Sequence, residues 1–167
     1  PSLVGSEMCI RDRDKIILAS KSKVRKEILD KHEILCEVKP SNVDEDVVKQ
    51  TLIKELASPE IISKNLAELK ANKISLNERD RLVLGADSVI DLNGELISKP
   101  ESREEALEIL KKLNGNKHNL ISSVCISRNG SMIWNYTDKA ELTMKKLSEQ
   151  DLKSYLSKIS DETLYAY

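Results

Sequence analysis

Apolar residues come in short bursts along this chain, and each burst carries the punctuation of a particular element. KIILA at 15–19 is a compact apolar run bounded by polar residues, which predicts a buried strand. Ser20 and Ser22 follow, and KVRKEILDKH then predicts a helix with Val24, Ile28 and Leu29 on one side. ILCEVK at 34–39 predicts a second strand, closed by Pro40 and Ser41. A helix begins in NVDEDVVKQTLIKELA with Asp44 as its N-cap, and Ser58-Pro59 starts another that runs to about Ile74. Two Asn-Gly pairs then each join two apolar runs. Asn93-Gly94 links LVLGADSVI to ELIS, and Asn129-Gly130 links NLISSVCIS to SMIWNYT. Both turn residues of such a hairpin take positive φ, which Asn and Gly tolerate best.

Between the hairpins, SREEALEILKKLNG is a marked helix. Ser102 and Glu105 form a capping box, Leu107, Leu110 and Leu113 form the apolar stripe, and Gly115 closes the end. SEQDLKSYLSK begins the last helix, with Ser148 and Asp151 in the same relation. Strands and helices interleave without an internal repeat or a linker, which predicts one α/β domain with a mixed, partly antiparallel sheet flanked by helices. The opening stretch, PSLVGSEMCIRDR, has neither period nor the charged and apolar regions of a signal peptide. Residues 1–13 therefore read as an extension outside a domain spanning 14–167.

Composition narrows the function. The 167 residues carry 27 Lys+Arg against 28 Asp+Glu, so no basic surplus grips a nucleic-acid backbone. One Trp, four Tyr and no Phe make a poor base-stacking platform. No apolar run approaches the roughly 20 residues of a membrane-spanning helix. The five glycines stand at 5, 85, 94, 115 and 130, too far apart for a dinucleotide fingerprint, a P-loop or a nucleophile elbow. Two histidines cannot make an H-E-x-x-H zinc site. Cys9, Cys36 and Cys125 have no C-x-x-C spacing, a pattern of reduced cytosolic thiols.

Three places can carry chemistry. Ser20-x-Ser22-x-x-Arg25 lies at a strand-to-helix junction, where unsatisfied N–H groups and the helix dipole suit a phosphate. Seen alone, the plainer reading is that Ser22 is an N-cap and Arg25 a solvated helix residue. Asp87 sits inside the apolar run VLGADSVID. It is either on the solvent face of an edge strand or buried with a partner, since a lone buried charge is expensive. Asp44, Glu45 and Asp46 upstream and Lys99 downstream complete a set of carboxylates and lysines. With no histidine or thiolate among them, that set suits a hard cation such as Mg²⁺ or Mn²⁺ together with phosphate oxygens. Lys70 lies between Leu66 and Ile74 on the wheel of its helix, and periodicity does not choose between it and Lys73. His118, Cys125 and Trp134 read most simply as structural.

In order and spacing these segments resemble the Maf family of nucleoside triphosphate pyrophosphatases. LASKSKVRKEIL at 18–29 is similar to the family's L-A-S-x-S-P-R-R-x-E-L-L. NVDED at 42–46, LAELKA at 66–71, GADSVIDLNGELISKP at 85–100, SREEALEILKKLNGNKHNLISSV at 102–124 and the LSEQDLKSYL helix continue the match. The resemblance implies a two-lobed fold with a central cleft, like that of inosine triphosphatases. It implies a cytoplasmic, often dimeric, metal-dependent hydrolase that cleaves a nucleoside triphosphate between the α and β phosphates. Removal of modified nucleotides and a link to septum formation are the family's proposed biology. Carried onto this chain, Ser20, Ser22 and Arg25 contact phosphate, Lys70 and Lys99 neutralise the triphosphate, and Glu45 and Asp87 hold Mg²⁺ or Mn²⁺, with Asp87 the base. Lys23 and Val24 replace the family's proline and first arginine. The single Arg25 resembles the branch acting on methylated guanine nucleotides, and Ser88 stands where the other branch has threonine. The family also continues beyond Tyr167, so the domain is expected to lack a C-terminal part. The competing reading is a nucleotide-binding regulatory protein without turnover.

Overall fold

The structure, a computed structural model, describes residues 15–166, so the expected extension over 1–13 lies outside the described residues. The described elements are β1 (Ile16–Leu18), α1 (Lys23–Lys31), β2 (Cys36–Val38), α2 (Glu45–Lys54), α3 (Pro59–Ser75) and β3 (Val83–Leu92). They continue with β4 (Glu95–Ile97), α4 (Arg103–Leu113), β5 (Lys117–Arg128), β6 (Ser131–Thr143), α5 (Glu149–Lys158) and α6 (Asp161–Ala166). The sheet runs β2-β1-β3-β5-β6, with β4 on β3. β1 pairs in parallel with both β2 and β3, while β3 and β4 are antiparallel, so the sheet is mixed as expected.

Caps decided where helices start. Ser22, Asp44, Ser58, Ser102 and Ser148 each accept a bond from the backbone N–H three residues on, the local chemistry that makes such starts readable. Ser148 and Asp151 form a full capping box. At α4 the reciprocal bond differs from expectation: the Glu105 carboxylate takes the N–H of Glu101, one residue before the cap. Both Asn-Gly pairs form their turns with positive φ at each residue, 53° and 89° at Asn93-Gly94 and 52° and 84° at Asn129-Gly130.

The described residues pack as two compact units, 15–87 with Ser122–Thr137, and Ser88–Ile121 with 138–166. The core of the first contains Ile17, Ala19, Ala67, Ala71, Val83 and Cys125, with Ile74 against it. Helix α3 supplies its buried stripe through Ile62, Ser63, Leu66, Ala67, Lys70, Ala71 and Ser75, alternating steps of three and four as a buried face requires. Full burial of Ile62 or Leu66 stabilises by roughly 1.5–3 kcal/mol each. The expected stripe of α1 is not buried. Val24 and Ile28 are exposed and Leu29 is half-buried, so this helix is held by its cap and its neighbours and presents those residues to solvent.

In the second unit α4 and α5 pack through Ala106, Leu113, Leu152 and Leu156. Leu107 and Leu110, expected in the stripe, are only half-buried, and Ala106 takes their place. The Arg103 guanidinium donates to the carbonyls of Leu156 at 2.7 Å and Ile159 at 2.8 Å, satisfying acceptors at the end of α5.

Candidate functional site

Parallel pairing of β1 with β2 and β3 means that these three strands point the same way; Ser20 and Glu45 follow the carboxyl ends of β1 and β2, and Asp87 lies inside β3 just past the end of its ladder with β1. The β1–β3 ladder closes at Leu18 with Leu84, and the backbone N–H of Ala19 still donates to Leu84 at 2.8 Å. Ser20 comes two residues after Leu18 and Asp87 three after Leu84. Glu45 opens α2 after the segment that leaves β2. The carboxyl ends of parallel strands are the usual place for ligands in open α/β sheets.

Asp87 is buried, at 5% exposure, which settles its two sequence readings in favour of a partnered interior carboxylate. Its partner is Lys70, itself 4% exposed, with Nζ 2.8 Å from Asp87 Oδ1. The same ammonium stands 2.9 Å from Glu45 Oε1, and Lys49 stands 4.0 Å from the other oxygen of Glu45. One cation thus bridges two carboxylates from different elements. Lys73 instead lies on the exposed side of α3 and donates to the Asn42 carbonyl at 2.8 Å, so the structure separates two lysines that periodicity could not. Burial pushes the Asp87 carboxyl above the ordinary aspartate value, Lys70 opposes that rise, and the nearby Glu45 adds to it.

Asp87 Oδ2 is buried and has no hydrogen-bond partner among the described residues. An orphaned carboxylate oxygen in a nearly dry setting is costly, and a divalent cation or a water would relieve it. Among the described residues no three His, Cys, Asp or Glu side chains converge to cage a metal. Two carboxylates, Glu45 and Asp87, meet on the Lys70 ammonium and are the ones that could hold a metal. Such a set fits Mg²⁺ or Mn²⁺, which commonly take one or two carboxylates and complete their shell from substrate phosphate and water.

The first turn of α1 gathers the expected phosphate group. Arg25 Nη1 donates to Ser20 Oγ at 3.0 Å, the Ser22 backbone N–H donates to the same oxygen at 3.2 Å, and Ser22 Oγ accepts from the Arg25 backbone N–H at 3.3 Å. Both readings of Ser22 therefore stand on the same atoms: it caps the helix and lies in the cluster. Only one of the five N–H donors of Arg25 is used in the bond to Ser20, and the fork geometry suits a phosphate. Lys99 belongs to the second unit, exposed on the segment after β4.

Two residues that the sequence reading passed over also touch this arrangement. Ser63, fully buried, donates its hydroxyl to the Asp87 carbonyl at 3.2 Å. Gly85 packs its backbone directly on α3, where a Cβ would lie 2.1 Å from the Ala67 carbonyl oxygen. A glycine inside a strand is a signal of close backbone approach, and Gly85 in LVLGADSVI carried that signal. Nothing local marked Ser63. A concavity bordered by Lys15, Lys26, Asp30, Leu35, Cys36 and Glu37 lies elsewhere in the first unit. Lys26 is paired there with Asp30, and Glu37 with Arg81, so those charges are already matched.

The other residues set aside as structural divide. Cys125 is buried in the core and burial raises its thiol, as befits an inert cysteine. His118 keeps a buried Nδ1 without a partner among the described residues. Trp134 is not a core residue: it is half-exposed on β6 and stacks on Tyr136 with ring centroids 6.3 Å apart.

A nucleoside triphosphate pyrophosphatase of Pelagibacter ubique (strain HTCC1062) is 68% identical over 152 residues, covering 91% of this chain and 78% of the relative. One of the same name from Ruegeria pomeroyi is 38% identical, covering 90% and 76%. A 7-methyl-GTP pyrophosphatase of Rhizobium etli is 32% identical, covering 90% and 75%. Among solved structures, a HAM1 protein from Coxiella burnetii is similar at a TM-score of 0.42 and 14% identity, covering 76% of this chain and 70% of that one. Residues 15–164, which span every candidate residue above, match the family described as Maf-like protein, and the chain belongs to that family.

Proposed function

We propose that this chain hydrolyses a nucleoside triphosphate between its α and β phosphates, releasing a nucleoside monophosphate and pyrophosphate. The observation that carries the reading is the buried Asp87, held through one oxygen by Lys70 while the other has no partner among the described residues. The names of the relatives support the reaction class. Mg²⁺ or Mn²⁺ held by Glu45 and Asp87 belongs to the proposal, and when bound it supplies Lewis acidity and charge neutralisation at the phosphates.

The chain's own groups have separate tasks. Ser20, Ser22 and Arg25 bind phosphate at the first turn of α1, where donors converge and the helix dipole adds to their attraction. A role for Lys99 towards the triphosphate rests on the family resemblance alone. Asp87 takes a proton from the attacking water, and the upward displacement of its carboxyl by burial brings its basicity nearer to working pH. Lys70 holds one oxygen of that carboxylate and favours its ionised form against the effect of burial. The single arginine at the phosphate turn and the Rhizobium etli relative together favour a methylated guanine nucleotide among the substrates. A cytoplasmic setting is part of the proposal and is supported by the free thiols of Cys36 and Cys125.

The test is product analysis with canonical and methylated nucleoside triphosphates, with Mg²⁺, Mn²⁺ or chelator. Metal-dependent monophosphate and pyrophosphate are expected. Diphosphate and orthophosphate would refute cleavage between the α and β phosphates, and binding without turnover would favour the regulatory alternative.

A further inference from the structure

We infer that Ser63 and Gly85 are positioning residues for Asp87, setting the approach of α3 to β3 on which the carboxylate's placement depends. The inference rests on the reading of Asp87 as the reacting base.

β1 pairs with β3 only through Leu84 and β4 pairs with β3 only from Ile90, so neither strand covers Gly85 to Val89. β5 is the other neighbour of β3 in the sheet, and helix α3 reaches Asp87 from outside the strand ladder. Ser63 Oγ donates to the Asp87 carbonyl at 3.2 Å, and Lys70 Nζ donates to its carboxylate at 2.8 Å. The two donors are seven residues apart, two helical turns, and share one face. Asp87 is thus gripped twice by the same helix, once through backbone and once through side chain.

The distance across which this grip works is fixed by what Gly85 lacks. A Cβ there would stand 2.1 Å from the Ala67 carbonyl oxygen, 2.8 Å from the Ala71 backbone nitrogen and 2.9 Å from the Ala71 Cβ. Two of these three neighbours are backbone, so no rotamer change relieves the clash and the helix itself must move away. Lysine has a long flexible stem and can follow such a movement. The Ser63 hydroxyl cannot, because its reach is one bond beyond Cβ. Retreat of α3 therefore breaks the backbone grip first and leaves the Asp87 carboxylate positioned from α3 by Lys70 alone. A misplacement of about 1 Å at a reacting group costs on the order of a hundredfold in rate.

Three variants of the full chain test this: Ser63→Ala, Ser63→Thr and Gly85→Ala. For each, kcat, KM and thermal midpoint are measured, with the ¹³C carbonyl resonance of Asp87 as a readout independent of turnover. Ser63→Ala is expected to stay folded, to keep its KM, to lose kcat by about tenfold or more, and to shift the Asp87 carbonyl resonance. Ser63→Thr keeps the hydroxyl but overpacks a fully buried site. It is expected to lose thermal stability while keeping most of its kcat and an unshifted resonance. Gly85→Ala is expected to lose both stability and kcat, and the Ser63 pair decides the matter if it does not fold. A Ser63→Ala enzyme with wild-type kcat overturns the inference and leaves the proposed reaction intact. So does a Ser63→Thr enzyme as slow as Ser63→Ala, because packing and not the hydroxyl would then govern the rate. A wild-type chain that yields no monophosphate and pyrophosphate overturns the proposed reaction, and this inference with it.

Discussion

Lys70 and Asp87 are 17 positions apart in the chain and form an ion pair of 2.8 Å from which solvent is nearly excluded. Breaking such a pair by removing the cation leaves an uncompensated buried charge, which typically costs about 3–5 kcal/mol. Lys70→Met is therefore expected to be strongly destabilised at pH 8. The loss shrinks towards pH 5, because a lone buried Asp87 can take up a proton and become neutral. Urea denaturation at the two pH values checks this, and an equal loss at both would place the damage in packing.

Asp87 also gives the wild-type protein a pH signature of defined sign. Its carboxyl is raised in the folded state above the ordinary 3.8. The folded chain then binds more protons than the unfolded chain just above that value, so this group's contribution to stability falls as pH rises through the folded pKa. Activity has the opposite slope, since the base must be ionised to accept a proton. Rate is expected to rise with pH while the stability contribution of Asp87 declines, and subtracting an Asp87→Asn stability profile from that of the wild type isolates the second trend.

Arg25 is half-buried on the first turn of α1 and bonds the Ser20 hydroxyl. Arg25→Ala removes charge-assisted donors from the phosphate turn while the Ser22 cap of the helix remains. The expected outcome is a fall in kcat/KM of roughly 10²-fold with little change in thermal midpoint. Arg25→Lys restores the charge without the fork and is expected to recover only part of the loss. Equal kinetics in wild type and Arg25→Ala would remove this turn from the site.

The β5–β6 turn offers a stability test apart from the chemistry. Gly130 has φ +84°, and a Cβ there would lie 2.4 Å from a methyl of Leu76, an exposed and movable side chain. The strain of Gly130→Ala is thus mainly in the backbone, about 1–2 kcal/mol. Adding Leu76→Ala is expected to restore little of it. Near-complete recovery in the double variant would assign the cost to the contact.

What could be read from the chain was mostly what neighbouring residues decide. Serine or aspartate caps and Asn-Gly turns act over three or four residues, so Asp44, Ser58, Ser148 and both hairpins stand where the sequence places them. The cluster of Ser20, Ser22 and Arg25 was legible for the same reason. Asp87 was marked by its apolar setting, but its partner is supplied by the packed structure; periodicity did not separate Lys70 from Lys73, although the resemblance picked Lys70. Ser63 was not legible at all, because a serine in a helix carries no sign of a carbonyl 24 residues away. The exposure of Val24, Ile28 and Trp134 shows the reverse limit: an apolar residue at the right spacing reports a face, and not whether anything covers it.

The role of Asp87 is tested most directly by pyrophosphate release from a nucleoside triphosphate, comparing wild type with Asp87→Asn at equal concentration and verified fold. Metal-dependent release by the wild type is expected, with a loss of at least about 10²-fold in the variant, where the amide cannot accept the proton. Equal release by both proteins would contradict that role.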